Sequence, residues 1–154
     1  MMQGRNKIPI TILVCDDDED DRMLTQQALE DAHISNNLAF VEDGEQLLDY
    51  LYQRGAFAGE TGIAPRPGLI LLALNMPKLD GREALKTIKE DPTLRDIPVV
   101  VLSTSRLDED IARSYQLGVN SFITKPVTFT GLVEAMNVLG RYWLEIVELP
   151  PNPA

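Results

Sequence analysis

Short runs of aliphatic and β-branched residues alternate along the chain with segments whose apolar positions recur every three or four residues. The run ITILVC (10–15) carries no polar alternation and reads as a strand buried on both faces. From Glu19 to about Ala32, Met23, Leu24, Gln27, Ala28 and Leu29 fall at helical spacing. LAFVED (38–43) reads as a second strand and GEQLLDYLYQRG (44–55) as a helix closed by Gly55. After the Gly/Pro-rich loop AFAGETGIAPRPG (56–68) come the strand LILLAL (69–74) and the helix REALKTIKED (82–91), which stops before Pro92. IPVVVLS (97–103), DEDIARSYQLG (108–118) and VNSFIT (119–124) continue as strand, helix and strand. A last helix runs from about Thr130 to Glu145.

Five strand–helix repeats predict an α/β domain, a doubly wound parallel sheet with helices on both faces. The expected organisation is a single domain over 1–145 and an extended arm over 146–154, IVELPPNPA. The last helix puts Leu132, Ala135, Met136, Leu139 and Trp143 on one stripe for the sheet, leaving Val133, Tyr142, Ile146 and Val147 beside or beyond it. That surplus apolar surface and the apolar arm predict a homodimer, with the arm lying on a second copy.

With 154 residues and 44% apolar content, the chain is long enough for a real core. No apolar run is long enough to span a bilayer. The basic start MMQGRNK precedes an apolar stretch that is too short, holds Pro9 and ends in acids, so a signal peptide is rejected. A single cysteine, Cys15, excludes an intrachain disulfide and fits a cytoplasmic setting. Twenty-four acidic against fourteen basic residues give a net charge of −10, which repels nucleic acid and anionic membranes. The lone histidine, His33, reads as a helix-end residue, which leaves histidine-based zinc sites and catalytic triads without a basis.

In such folds, functional groups gather beyond the carboxyl ends of the strands. There the first strand ends in Asp16, Asp17 and Asp18, the third at Ala73 with Asn75 close behind, the fourth in Ser103-Thr104-Ser105, and the fifth in Thr124-Lys125-Pro126. Taken singly, DDDEDD is an acidic helix start, Ser103 a satisfied strand-end hydroxyl and Lys125 a surface lysine. Together they are a constellation. Clustered carboxylates repel unless a cation sits among them, and all-oxygen donors suit Mg²⁺. A hydroxyl and an ammonium nearby match the remaining oxygens of a phosphoryl group. Pro126 forces a sharp exit from the strand, open to a cis peptide, and turns Lys125 toward the site.

ILVCDDD, LNMPKLDG, IPVVVLSTS and FITKP occur together, in order and at suitable spacing. In these motifs the chain resembles the receiver domains of two-component response regulators, over nearly its whole length. The resemblance implies a flavodoxin-like sheet order 2-1-3-4-5 and phosphoryl transfer from a histidine kinase to an aspartate at the end of the third strand. It makes Asp16 and Asp17 the metal-binding acids, with Asn75 offering its backbone carbonyl to Mg²⁺. Ser103 becomes the switch hydroxyl, Lys125 the phosphate-pairing lysine and Phe122 the switch aromatic. The phosphoacceptor position itself holds Ala73, whose methyl group cannot attack phosphorus. Asp80, seven residues on in a helix-entry turn, is no replacement. Retention of the other four groups points to either a very recent natural loss or a deliberate Asp→Ala change, and the deliberate change is favoured. The long loop before the third strand, the RYWLEIVELP tail and the lack of an effector domain resemble single-domain regulators paired with bacterial phytochrome kinases.

Two other readings compete. One is a natural phosphorylation-independent receiver that acts by docking alone, against which the intact Asp16, Asp17, Ser103 and Lys125 count. The other is a haloacid-dehalogenase-type phosphatase with Asp16 as nucleophile and Asp18 as general acid, for which the downstream metal acids and cap are not evident. A flavin carrier of the same sheet order would need a phosphate loop where DDDEDD stands, and is dropped. The expectation is a signalling module and not an enzyme.

Overall fold

The structure, a computed structural model, describes residues 10–58, 64–103 and 108–141. Among these, strands and helices alternate: β1 (Thr11–Cys15), α1 (Glu19–Asp31), β2 (Asn37–Val41), α2 (Gly44–Tyr52), β3 (Leu69–Leu72), α3 (Gly81–Glu90), β4 (Val99–Ser103), α4 (Asp108–Gln116), β5 (Ser121–Thr124) and α5 (Phe129–Leu139). The strands form one parallel sheet in the order β2-β1-β3-β4-β5, as expected.

The period of two along each strand sorts the core into two halves. Leu13, Cys15, Ile70, Leu72, Val99 and Val101 meet Leu47 of α2 and Leu85 and Ile88 of α3. Ile12, Val14, Leu69, Leu71, Val100 and Leu102 meet Ala28 and Leu29 of α1 and Leu132, Met136 and Leu139 of α5. β1, β3 and β4 are therefore buried on both faces, which is why their sequences lack polar alternation. Each fully buried Leu or Ile contributes about 1.5–3 kcal/mol relative to exposure.

Helix starts are set by side-chain caps. Asp18, Asp43, Asp80 and Thr128 each accept a hydrogen bond from an amide in the first turn of α1, α2, α3 and α5. The loops that leave β1, β2, β3 and β5 are therefore each closed by a capped helix.

Several details differ from the sequence-based expectation. α2 ends at Tyr52 and not at Gly55: Gln53 takes the left-handed cap (φ 54°), and Gly55 (φ 61°) opens a short 3-10 turn, Gly55–Phe57. His33 is at the helix end as expected, directly after the α1 cap with φ 62°. No peptide bond among the described residues is cis, so Pro126 turns the chain through a trans bond. Val133 is half-buried and packs on the α1/α5 side of the core, so it is covered within its own chain. The predicted continuation to Glu145, Trp143 and the arm all lie outside the described residues. No helix among the described residues is long and apolar enough to cross a membrane.

Candidate functional site

The sheet's own ladder brings the site together. Cys15 lies opposite Leu72, Leu72 opposite Val101 and Val101 opposite Phe122. Asp16 and Ala73 then leave β1 and β3, while β4 and β5 run on paired to Ser103 and Thr124 on the same edge. Backbone bonds carry the register past the strand ends: Asp16 N donates to Val41 O (3.1 Å), Ala73 N to Cys15 O (3.0 Å) and Lys125 N to Ser103 O (2.7 Å). Asp16, Asp17, Ala73, Asn75, Ser103 and Lys125 thus line a single cavity of about 170 Å³. Of the predicted site residues, only Phe122 stands apart from it, half-buried on β5 and packed against the α2/α3 half of the core.

The electrostatics centre on Lys125. Its Nζ donates to Asp16 Oδ2 at 3.0 Å and to Asp21 Oδ2 at 3.1 Å. Burial works against the ammonium, but the carboxylates of Asp16 and Asp21 outweigh it, so the Lys125 pKa lies above its ordinary value. Lys125 is therefore a fixed cation at neutral pH. Asp16 is buried, and its Oδ1 accepts from Asp18 N (3.1 Å). The Asp16 carbonyl accepts from Arg22 Nη1 (2.8 Å), whose Nη2 reaches Glu42 (3.4 Å).

Asp21 and Arg22 escaped sequence reasoning. Both sit in the first turns of α1, where an acid reads as a helix-dipole partner and an arginine as surface. Their partners lie just past the ends of β1, β2 and β5, and no local pattern points to them.

Two acids of the sequence motifs have structural work. Asp18 accepts from the amides of Asp20 and Asp21 as the α1 cap. Asp80 caps α3 through the amides of Arg82 and Glu83 and takes an ion pair from Arg82 (3.1 Å), so its carboxylate serves the start of α3. Cys15 is buried beside Met76 Sδ (3.5 Å), and its thiol donates to Asp43 O (3.6 Å). Burial, followed by Asp16, Asp43 and Asp17, pushes the thiol far up, so it stays protonated and unreactive.

The loop leaving Ala73 is tightly constrained. Gly81 N donates to Leu74 O (2.8 Å) and Gly44 N to Leu79 O (2.9 Å). Lys78 adopts φ 63°, with its ammonium 3.9 Å from Asp43 Oδ2. The loop therefore bridges β3 to the start of α2, which holds position 73 against the β1 edge.

Oxygen donors make up the candidate metal set: the Asp16 and Asp17 carboxylates and the Asn75 backbone carbonyl. These fit a small hard cation. No group of three or more His, Cys, Asp or Glu side chains among the described residues forms a closed metal cage. Waters would complete the coordination, which Mg²⁺ tolerates well.

The model of the response regulator receiver domain matches residues 12–137. Response regulator Rcp1 of Synechocystis sp. is 40% identical over 149 residues, covering 97% of this chain and 99% of the relative. Among solved structures, the phosphorylated cyanobacterial phytochrome response regulator RcpA superposes with a TM-score of 0.85 at 42% identity, covering 94% of this chain and 100% of that one. The Mn²⁺-bound form of Rcp1 gives 0.83 at 40% identity, covering 93% and 100%.

Proposed function

The chain belongs to the response regulator receiver family, and we propose that it is a cytoplasmic receiver of a phytochrome histidine kinase, lacking its phosphoacceptor. The observation that carries this reading is the convergence of Asp16, Asp17, Ser103 and Lys125 on one cavity around Ala73. With aspartate at 73, a carboxylate oxygen would attack the phosphorus of a phosphohistidine. The P–N bond breaks, a P–O bond forms and the imidazole leaves. Asp16, Asp17 and the Asn75 carbonyl would hold Mg²⁺, which supplies positive charge to the phosphoryl oxygens. Ser103 donates to one of those oxygens and Lys125 pairs with another, while Phe122 on β5 responds to the rearrangement. RcpA, a phosphorylated phytochrome response regulator, and Mn²⁺-bound Rcp1 support the partner and the ion. Phosphotransfer from a phytochrome kinase to Ala73→Asp, absent in the chain as given, tests the partner. No transfer to Ala73→Asp from any such kinase would count against it.

The metal has its own expected signature. Ala73→Asp adds a third carboxylate to the site, so it gains hard-cation affinity but suffers more repulsion without the ion. Saturating Mg²⁺ should stabilise Ala73→Asp by about 2 kcal/mol and the chain as given by less than about 1 kcal/mol. Calorimetric scans with Mg²⁺ and with a chelator measure this, and equal dependence in the two chains would contradict the assignment.

The proposed homodimer rests on the C-terminal region. Val127, Phe129 and Val138 are exposed on and just before α5, and the apolar sequence IVELPP follows. A chain truncated after Gly140 should sediment as a monomer, and the full chain as a dimer at tens of micromolar. A monomeric full chain would assign the arm to its own domain.

A further inference from the structure

We propose that Asp21, in the first turn of α1, is the positioning residue for Lys125: it shares the ammonium with Asp16 and so leaves part of the Asp16 carboxylate for a divalent cation. This consequence for the ion rests on the metal reading above; the pairing itself does not.

An ammonium has three N–H donors, and two of those of Lys125 are committed, to Asp16 Oδ2 and Asp21 Oδ2 at nearly equal distances (3.0 and 3.1 Å). The Lys125 side chain is only 14% exposed and that of Asp16 9%, so this pair is weakly screened, while Asp21 at 36% faces the rim. Asp16 already receives the Asp18 amide on Oδ1. Each carboxylate oxygen offers two lone pairs, so sites remain on Asp16 for a cation. How strongly the cation is repelled depends on how closely the ammonium settles on Asp16. Asp21 draws that charge toward α1. The helix that carries it is anchored on both sides of the residue, by the Asp18 cap and by the Arg22 grip on the Asp16 carbonyl and on Glu42. Asp21 is thus held at a fixed reach from Lys125, as a positioning role requires.

A double-mutant cycle on the full chain, with Asp21→Asn, Lys125→Met and both, tests this. In urea unfolding with a chelator present, the loss caused by Asp21→Asn should largely vanish once Lys125 is Met. In Mn²⁺ titrations by calorimetry, Asp21→Asn should weaken binding about tenfold with Lys125 present and less than about twofold without it. Lys125→Met alone should strengthen binding. A weakening of equal size in both backgrounds would mean that Asp21 acts through its own charge, and would overturn the proposal. So would additive losses in the unfolding cycle. Should no variant bind Mn²⁺, Ala73→Asp included, the metal reading fails, and the unfolding cycle still decides whether Asp21 positions Lys125. Lys125→Gln replaces Lys125→Met if the latter does not fold.

Discussion

Ala73→Asp is expected to convert a chain that forms no acyl phosphate into one that does so with acetyl phosphate and Mg²⁺. A methyl group has no lone pair, so electrostatic help from Ser103 and Lys125 has nothing to act on in the chain as given. The effect is therefore the presence or absence of a reaction. The backbone at 73 is already fixed, by its amide bond to Cys15 O at 3.0 Å and by the close approach of Gly81 to its carbonyl. A new carboxylate would extend from a residue that already lines the cavity of Asp16, Asp17, Ser103 and Lys125. One oxygen attacks phosphorus, acetate leaves, and the product carries one phosphoryl group. Intact-protein mass spectrometry, with loss of the label in hydroxylamine, reads the result. Stable label on the chain as given would remove Ala73 from the acceptor position.

Gly81→Ala is expected to cost about 3 kcal/mol, near the upper end for inserting one methyl into packed surroundings. Two effects oppose each other. Gly81 opens α3 without a positive φ, so helix propensity by itself favours alanine, by up to about 1 kcal/mol. Contact goes the other way: an added Cβ would lie 2.2 Å from Ala73 O and 2.9 Å from Leu74 Cα. Both are backbone atoms, held in place by the Gly81 N to Leu74 O bond, and no side chain can swing aside. Contact should win. Urea unfolding should show a lower midpoint at unchanged slope. In the Ala73→Asp background the same change should slow phosphorylation, because the displaced carbonyl belongs to the acceptor residue. A loss under about 1 kcal/mol would mean that the β3–α3 loop yields easily.

The largest features of this protein were legible in the sequence because their causes are local. Burial on both faces removes polar residues from β1, β3 and β4, and an amphipathic stripe must recur on the helices, so the alternation and the parallel sheet follow from spacing alone. Strand ends follow from the same pattern. Asp16, Asp17, Ala73, Ser103 and Lys125 could therefore be assigned to one edge before any coordinates.

What each acid does there was a matter of tertiary structure. Asp16, Asp18, Asp21 and Asp80 look alike as letters. Backbone direction makes Asp18 and Asp80 helix caps, and an ammonium 104 residues away in sequence makes Asp21 a partner of Lys125. Val133 looked surplus on a helical wheel because a wheel does not contain α1 and the sheet. Gly44 and Gly81 each open a helix, and at both the neighbouring backbone leaves no room for a Cβ, which no local pattern shows. Periodicity along one chain records which residues are buried; contacts between segments far apart in sequence depend on how the elements pack, and only the folded chain contains them.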